Sequence, residues 1–286
     1  MALHSILDVV RQCNCVGDLD ALVEAEGMYR FRIKGRLVGV VSASDARALQ
    51  AASDSQARPP FAFDHERREL AFSGWCDSRE QRSAAVAELL AQMRAAGAWA
   101  SLAKWRDELF MVYGDPAERD GVLLAVERAA SFSFGIRTFG VHVNGVTRSE
   151  SGQVRMWVAR RSLQKQTWPG YLDQVVAGGI GNGAGVFESV VKECHEEASI
   201  PPEVARTAKY AGTIQYFTRS ALGLQPETQF VFDLELPAGL EPRPNDGEVD
   251  SFHLWPLDEV VDRIRRGEFK PNCAVCVVDF LVRHAR

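Results

Sequence analysis

Apolar positions recur at helical spacing in three stretches of the first half of the chain. Residues 78–96 form the clearest case, because Ser78 can cap the start of a helix and the apolar residues behind it follow a period near 3.6. Residues 3–13 show a similar amphipathic spacing. Residues 116–130 are predicted to form a further helix.

Two other stretches of the first half predict β-hairpins. Residues 28–41 alternate between apolar and polar on both sides of Lys34-Gly35, a pair typical of a tight turn. Residues 61–72 repeat this pattern around a charged turn. Helices and hairpins together predict a smaller mixed α+β domain over residues 1–132.

The second half is richer in strand patterns. Strands are predicted at 139–146, 154–160, 172–177, 212–218, 229–236 and 251–255, and helices at 187–198, 257–266 and 273–284. Gly178-Gly179 is expected to end the third strand before the helix at 187–198. We therefore predict an α/β (α+β) protein whose second domain spans residues 133–286. No long linker separates the halves, so we expect them to pack together.

Composition and charge narrow the classes of function. The 286 residues are 46% hydrophobic and 25% charged, which is typical of a globular protein. A formal net charge of −5 disfavours nucleic acid as a partner. No apolar run approaches the ~20 residues of a membrane span, and the N-terminus lacks the pattern of a signal peptide. Scattered cysteines favour a reducing compartment, so we expect a cytoplasmic protein.

Cys273 and Cys276 form the one cysteine pair with a spacing found in metal sites. A structural zinc ion is one interpretation. The other, which we favour, is a pair of buried thiols in an apolar helix, since no second pair at zinc-finger spacing exists.

Residues 176–201 carry the candidate chemistry. A predicted strand ends in glycines, a glycine-rich loop follows, and a helix then carries Glu193, Glu196 and Glu197 on one face. Each like-charge pair on such a face costs about 0.2–0.5 kcal/mol. An exposed acidic face is one interpretation of this cluster. A site for a hard divalent cation such as Mg²⁺ is the other, because carboxylate oxygens are its preferred ligands.

The segment from Gly178 to Ile200 resembles the Nudix box, G-x5-E-x7-R-E-U-x-E-E-x-G-U, in which U is aliphatic. Gly178 and Ile200 match its ends, and the three glutamates match those that bind the catalytic metal in that family. Three of the fixed residues of the pattern are replaced: the first glutamate by Ala184, the arginine by Lys192 and the late glycine by Ser199. Glu188 is expected to pair with Lys192 as a partial substitute for the lost brace.

The resemblance covers nearly the whole chain. Residues 134–145, 165–170, 223–227 and 244–249 are similar to one Nudix subgroup, the one related to the domain fused to thiamine pyrophosphokinase. The first half resembles the uncharacterised domain that precedes the Nudix domain in that subgroup. The implied fold of the second half is an α/β/α sandwich with a mixed sheet.

The resemblance also implies a reaction, namely hydrolysis of a diphosphate bond with Mg²⁺ or Mn²⁺ as cofactor. The metal ligands would be Glu193, Glu196 and Glu197, with Glu196 also assigned a catalytic role. The general base in this family is a further glutamate outside the box. Glu248, in a turn before a predicted strand, is the first candidate and Glu227 the second.

The implied substrate is a small organic diphosphate, thiamine diphosphate or an oxidised analogue, cleaved to the monophosphate. Trp168, Tyr216 and Phe217 are candidates for stacking on its ring. The remaining predicted substrate contacts are Lys165, Arg137, Glu227 and the backbone at Gly178 and Gly179.

Other functions remain open at the level of sequence. An ADP-ribose type of substrate is one, and a non-catalytic module that binds diphosphates is another, favoured by the three departures from the box. The N-terminal domain shows no catalytic constellation. It is expected to close over the site or to mediate a homodimer.

Overall fold

The computed structural model describes residues 5–114 and 121–284, and its N-terminal part is a mixed α+β unit. In chain order its elements are α1 (Ile6–Cys13), α2 (Leu19–Glu26), β1 (Tyr29–Ile33), β2 (Arg36–Val41), α3 (Ala43–Asp54), β3 (Phe61–Asp64), β4 (Glu69–Phe72), α4 (Arg79–Ala95), β5 (Leu109–Tyr113), β6 (Val122–Glu127) and α5 (Ser131–Phe134). Short 3-10 helices precede β5 and follow β6.

The predicted hairpins and the longest predicted helix of this part are confirmed. Lys34 and Gly35 both adopt a left-handed backbone, with φ of 51° and 77°, as a two-residue hairpin turn between β1 and β2 requires. Ser78 caps α4 through a capping box with Gln81. Strands β3 and β4 pair antiparallel as the second hairpin.

A four-stranded sheet in the order β2-β1-β4-β3 organises the core of this part. Its central pair, β1 and β4, is parallel, and the two outer pairs are antiparallel. Helix α4 covers the sheet with Leu89, Leu90 and Met93. Phe31 and Phe134 stack in the same core with ring centroids 5.2 Å apart, which ties the end of this part to its first strand.

The predicted helix at 116–130 is wrong where it can be compared. Residues 116–120 lie outside the described residues, and Val122–Glu127 forms strand β6, which pairs antiparallel with β5. Five consecutive residues of β6, Leu123 to Glu127, are buried. A short continuous apolar run has no period that separates a buried strand from a buried helix, so the pattern was misleading.

The C-terminal part is built on a larger sheet. Its elements are β7 (Thr138–Arg148), β8 (Val154–Arg161), β9 (Leu172–Gln174), β10 (Val176–Gly179), α6 (Val186–Ala198), α7 (Pro202–Ala205), β11 (Lys209–Ser220), β12 (Gly223–Glu235), β13 (Val249–Pro256), α8 (Leu257–Arg265) and α9 (Pro271–His284).

The seven strands form a mixed sheet that opens beside β7. The main path is β11-β12-β7-β8-β13, in which only β12 and β7 are parallel. Strands β7 and β8 pair near their shared turn and then diverge. The segment from β9 to β10 fills the gap, with β9 on β8 and β10 on β7. The single predicted strand at 172–177 is therefore two strands, and Gly178-Gly179 are the last two residues of β10, as expected.

Helices cover both faces of this sheet. Helix α6 packs on one face over a core that includes Val141, Val190 and Phe232. Helices α8 and α9 pack on the other face over Val158, Ile264 and other apolar residues. This arrangement confirms the expected α/β/α sandwich with a mixed sheet, preceded by a smaller α+β unit.

The two parts of the chain are in direct contact. Helix α1 packs beside α9 on the C-terminal sandwich, where Val9 is fully buried. Glu26, the last residue of α2, accepts two hydrogen bonds from Arg219 of β11, at 2.5 and 2.8 Å. Among the described residues, no helix combines the length and the apolar composition needed to cross a membrane.

Candidate active site

A cavity of about 340 Å³ lies where α6, the end of β10 and the N-terminal part meet. Its wall carries charges of both signs. The acidic lining residues are Glu108, Glu193, Glu196, Glu197, Glu227, Asp246 and Glu248. The basic lining residues are Arg106, Arg128, Arg161, Lys165, Lys192 and Lys270. The basic side chains of such a wall can bind the anionic groups of a ligand, and the acidic side chains can bind a cation that accompanies it.

Helix α6 brings the three predicted metal-binding glutamates to this cavity. Glu197 is buried, and its carboxylate accepts a hydrogen bond from the backbone N–H of Ala177 at 3.1 Å. The Glu193 side chain is 15% exposed and that of Glu196 is 46% exposed. The exposure of the three carboxylates thus increases from Glu197, which is bound to β10, to Glu196, which faces the mouth of the cavity.

The two inner carboxylates are electrostatically strained. Burial raises the pKa of Glu193, and the charges of Glu196 and Glu248 raise it further against the opposing effect of Lys192. Burial also raises the pKa of Glu197, with Asp173, Glu193 and Glu248 adding to the effect. A bound divalent cation would favour the ionised forms of both carboxylates and so offset the free-energy cost of their burial and mutual repulsion.

Lys192 compensates part of the negative charge on α6. Its ammonium lies 3.2 Å from Glu193 and 2.7 Å from Glu196, and these contacts raise its pKa to about 12. The expected pairing of Lys192 with Glu188 is wrong. Glu188 instead accepts a hydrogen bond from the backbone N–H of Gly185 at 3.2 Å, because it lies in the first turn of α6 and caps the helix.

Glu248, the first candidate for the general base, lies across the cavity from α6. Lys165 donates a hydrogen bond to its carboxylate, so two residues predicted for different roles form one pair. Burial favours the neutral form of Glu248. The charges of Lys165, Arg161 and Arg128 outweigh that effect and lower its pKa. The pair therefore favours the ionised form of Glu248.

Glu227, the second candidate, also lines the cavity but is committed to protein partners. The Tyr216 hydroxyl donates to it, and the Gln229 amide donates to it at 2.7 Å. Tyr216 is itself buried, and burial together with Glu227 raises its pKa. The phenol ring therefore belongs to the support of Glu227, and it does not offer an open face for stacking.

Four predicted substrate contacts do not line this cavity, namely Arg137, Trp168, Tyr216 and Phe217. The Arg137 guanidinium donates to Thr228 at 3.1 Å and lines a second cavity, which Phe217 also lines. Trp168 packs edge-on against Tyr171 with centroids 5.0 Å apart. The predicted aromatic trio thus does not gather around the glutamates. The phenylalanines that do line the cavity are Phe110, Phe132 and Phe139.

The N-terminal part supplies residues to the cavity that carry no sequence signal. They are Arg106, Glu108, Phe110, Arg128, Ser131 and Phe132. They lie in or next to β5, β6 and α5, where the sequence contains no motif and where its pattern predicts a helix in place of β6. Their role depends on how the two parts pack, which local patterns do not encode.

Cys273 and Cys276 agree with the buried-thiol interpretation. Both side chains are buried in α9, and burial raises the pKa of each thiol. Thiols held neutral in this way are poor ligands for zinc.

One other group of potential metal ligands lies beneath the cavity. Among the described residues, His142, Asp173 and Cys273 place their ligand atoms within 4.8 Å of one another. Asp173, however, already pairs with Arg161 at 2.8 Å, and the charge of Lys270 acts on all three. The group is therefore a compensated polar cluster that supports the cavity floor.

Comparison with known proteins agrees with this geometry. A model for a domain of unknown function, DUF4743, matches residues 5–138, and a model for the NUDIX domain matches residues 138–273. An uncharacterised protein of Saccharomyces cerevisiae is 35% identical over 91% of this chain and 78% of its own length. Nudix hydrolase 24, chloroplastic, of Arabidopsis thaliana is 34% identical over 99% of this chain and 73% of its own length.

A crystal structure of a Deinococcus radiodurans protein is 21% identical, with a TM-score of 0.43, over 63% of this chain and 100% of its own. The domain matches and the relatives that align with most of this chain carry the assignment: this chain belongs to the Nudix hydrolase family and has a DUF4743 domain before its Nudix domain.

Proposed function

We propose that this protein is a Mg²⁺- or Mn²⁺-dependent pyrophosphohydrolase that cleaves a small organic diphosphate to its monophosphate. One observation carries the proposal. The glutamates of α6 share a single cavity with the ionised carboxylate of Glu248 and with several cations. The membership of the chain in a hydrolase family supports the same class of reaction.

The donor set fits a hard divalent cation. Glu193, Glu196 and Glu197 offer oxygen atoms alone, and Mg²⁺ and Mn²⁺ prefer such ligands. The strain on the two inner carboxylates is of the kind that a bound cation relieves. When bound, such a cation supplies charge neutralisation for phosphate oxygens and lowers the pKa of water.

The chain's own residues account for the proton and for orientation. Glu248 is assigned the proton of the attacking water, as the new oxygen–phosphorus bond forms and the bridging bond to the leaving phosphate breaks. Lys165 holds Glu248 in place and keeps it ionised. Glu197, fixed by the N–H of Ala177, sets the position of its neighbours on α6.

Thiamine diphosphate and its oxidised analogues are the substrates we propose. The runs that are similar to the thiamine pyrophosphokinase-related subgroup motivate this choice. The cavity supports it, since phenylalanine rings lie beside charged groups and could contact a heteroaromatic ring next to a diphosphate.

The test is a screen of diphosphates with Mg²⁺ and with Mn²⁺, in which the released monophosphate is identified. Glu197→Gln should keep the fold and lower kcat by orders of magnitude, whereas Glu203→Gln, on the exposed side of α7, should leave it unchanged. Efficient cleavage of ADP-ribose without cleavage of thiamine diphosphates would refute the substrate. No turnover of any diphosphate would favour the non-catalytic module.

A further inference from the structure

Gly179, at the end of β10, and Gly181, in the loop that follows, lie against the N-terminal domain. A Cβ atom built on Gly179 would lie 3.1 Å from Phe110 Cζ and 3.6 Å from Arg128 Cζ, and one built on Gly181 would lie 3.3 Å from a Glu108 carboxylate oxygen. The backbone N–H of Asn182 also donates to the carbonyl of Leu109 at 3.1 Å. The glycine-rich loop is therefore fixed against β5 of the N-terminal domain.

This contact brings two arginines to the cavity, and Arg128 is the more firmly held. Its guanidinium lies 2.7 Å from Glu108 and 5.1 Å from the centre of the Phe110 ring. Its backbone N–H donates to the carbonyl of Glu108 at 2.8 Å. A planar guanidinium fixed by an ion pair and an aromatic face retains further N–H groups for a ligand.

Arg106 stands beside Arg128 with a less committed side chain. Its backbone N–H donates to the buried carboxylate of Glu127 at 2.9 Å, which fixes the main chain. Within residues 5–114 and 121–284, its guanidinium forms no hydrogen bond or ion pair. Burial and the like charge of Arg128 lower the pKa of Arg106 against the opposing charges of Glu248, Glu108 and Glu127, so the two cations are close enough to repel.

Three other cations of the cavity are already paired. Lys165 is bound to Glu248, Lys192 lies between two glutamates of α6, and Arg161 pairs with Asp173. The guanidinium groups of Arg106 and Arg128 are neighbours and face the glutamates of α6. The space between them suits an anion that contacts the arginines on one side and a cation bound to the glutamates on the other. A diphosphate has this character, and arginine binds phosphate oxygens in a bidentate manner.

We propose that Arg106 and Arg128 bind the phosphate oxygens that point away from α6, so that the N-terminal domain forms part of the substrate site. This inference rests on the proposed function for the identity of the anion. It gives the DUF4743 domain a direct role in selecting diphosphates, because removal of the domain removes one wall of the cavity.

The experiment measures binding of methylenediphosphonate, a diphosphate analogue whose bridge cannot be hydrolysed, by calorimetry in the presence of Mg²⁺. Arg106→Gln and Arg128→Gln should each raise Kd by about tenfold or more, since each removes charge-assisted hydrogen bonds to phosphate. Arg47→Gln, which changes an exposed arginine of α3 outside the cavity, should leave Kd unchanged.

Arg128→Lys retains a cation beside Glu108 and guards against a fold defect in Arg128→Gln. It should bind more weakly than the wild type because it lacks the planar fork. Failure of the wild type to bind the analogue, or equal Kd values for the wild type and both glutamine variants, would overturn the inference. Arginine-dependent binding without hydrolysis of any diphosphate would refute the proposed function alone and leave this inference standing.

Discussion

Gly178 lies directly against the carboxylate of Glu193, so that a Cβ atom built on Gly178 would fall 2.5 Å from Glu193 Cδ and 2.7 Å from one of its oxygens. The first glycine of the box is therefore a spatial requirement of a glutamate fifteen positions later. It lets α6 approach β10 closely enough for Glu193 to enter the cavity.

Gly178→Ala should displace Glu193 and lower both Mn²⁺ affinity and turnover. Loss of support around a metal ligand typically costs about tenfold to a hundredfold in affinity. The fold should survive, because the displaced atoms belong to a flexible side chain. Titration of Mn²⁺ and the thermal midpoint would separate these effects. Gly74→Ala is the control, since a Cβ there meets nothing within 4 Å. Unchanged Mn²⁺ affinity in Gly178→Ala would contradict the steric account.

Lys165→Met should move the acidic limb of the pH profile of kcat/KM to higher pH. The Lys165 ammonium is the foremost influence that lowers the Glu248 pKa against burial, so its loss lets that pKa rise. A base with a raised pKa is protonated, and inactive, over a wider acidic range. Lys209→Met, on the exposed edge of β11, should leave the profile unmoved. A limb that stays in place would mean that Glu248 is not the group that accepts the proton.

Sequence patterns predicted most of the C-terminal sandwich because each element there has a single strong period. Its predicted helices differ from the observed ones by no more than two residues at either end. The gap between β7 and β8 was not predictable, because residues 172–179 look like one apolar strand. Only the divergence of two long strands divides that segment into β9 and β10.

The departures from the Nudix box are partly explained by backbone geometry. Ser199 ends α6 in a left-handed conformation, with φ of 51°, at the position where the family pattern has glycine. Its hydroxyl donates to the carbonyl of Arg243 at 3.1 Å, which helps to hold a conformation that glycine adopts freely. Nothing in the structure explains alanine at position 184.

The candidate site was predictable only where the family resemblance marks residues, in the box and in the similar runs that contain Lys165, Glu227 and Glu248. Glu193, Glu196, Glu197 and Glu248 reach one cavity, whereas Arg137 lies in the lining of another. The opposite wall, with Arg106 and Arg128, comes from distant parts of the chain. Residues that meet through domain packing share neither a period nor a spacing, so no local pattern reveals them.

The bond between Asp233 and Arg283 should measurably anchor α9 to β12. Arg283 donates to both oxygens of Asp233, at 2.5 and 3.0 Å, and the two side chains are 27% and 19% exposed. A double-mutant cycle with Asp233→Asn and Arg283→Met should give a coupling of about 1–2 kcal/mol at neutral pH. The exposed pair of Asp262 and Arg265, 3.7 Å apart, should give a coupling near zero.

The coupling between Asp233 and Arg283 should weaken as the pH falls. Burial opposes ionisation of Asp233, but hydrogen bonds from Arg283, Asn144 and His284 prevail and lower its pKa below 3.8. The stabilisation is therefore complete above pH 3.8 and is lost as the pH falls through the lowered pKa. A coupling that vanished already at pH 5 would contradict this assignment.

His142 should make the folded protein sensitive to mild acid. Burial, aided by the charge of Lys270, lowers the pKa of His142 from 6.5 to about 4. Between these values the unfolded chain binds a proton that the folded protein excludes, so stability rises with pH across this window. The free energy of unfolding should fall by roughly 3 kcal/mol from pH 7 to pH 4 through this residue alone.

His142→Gln removes the titrating group and retains a polar side chain that can bond to Gln174. Urea unfolding of the wild type and of this variant at several pH values isolates the effect, because contributions of other acids and bases largely cancel in the difference. The variant should lose less stability between pH 7 and pH 4 than the wild type. His65→Gln, which changes an exposed histidine of the N-terminal domain, should keep the slope of the wild type. Parallel curves for His142→Gln and the wild type would show that His142 can take up a proton within the fold, and that the buried cluster beneath the cavity tolerates its charge.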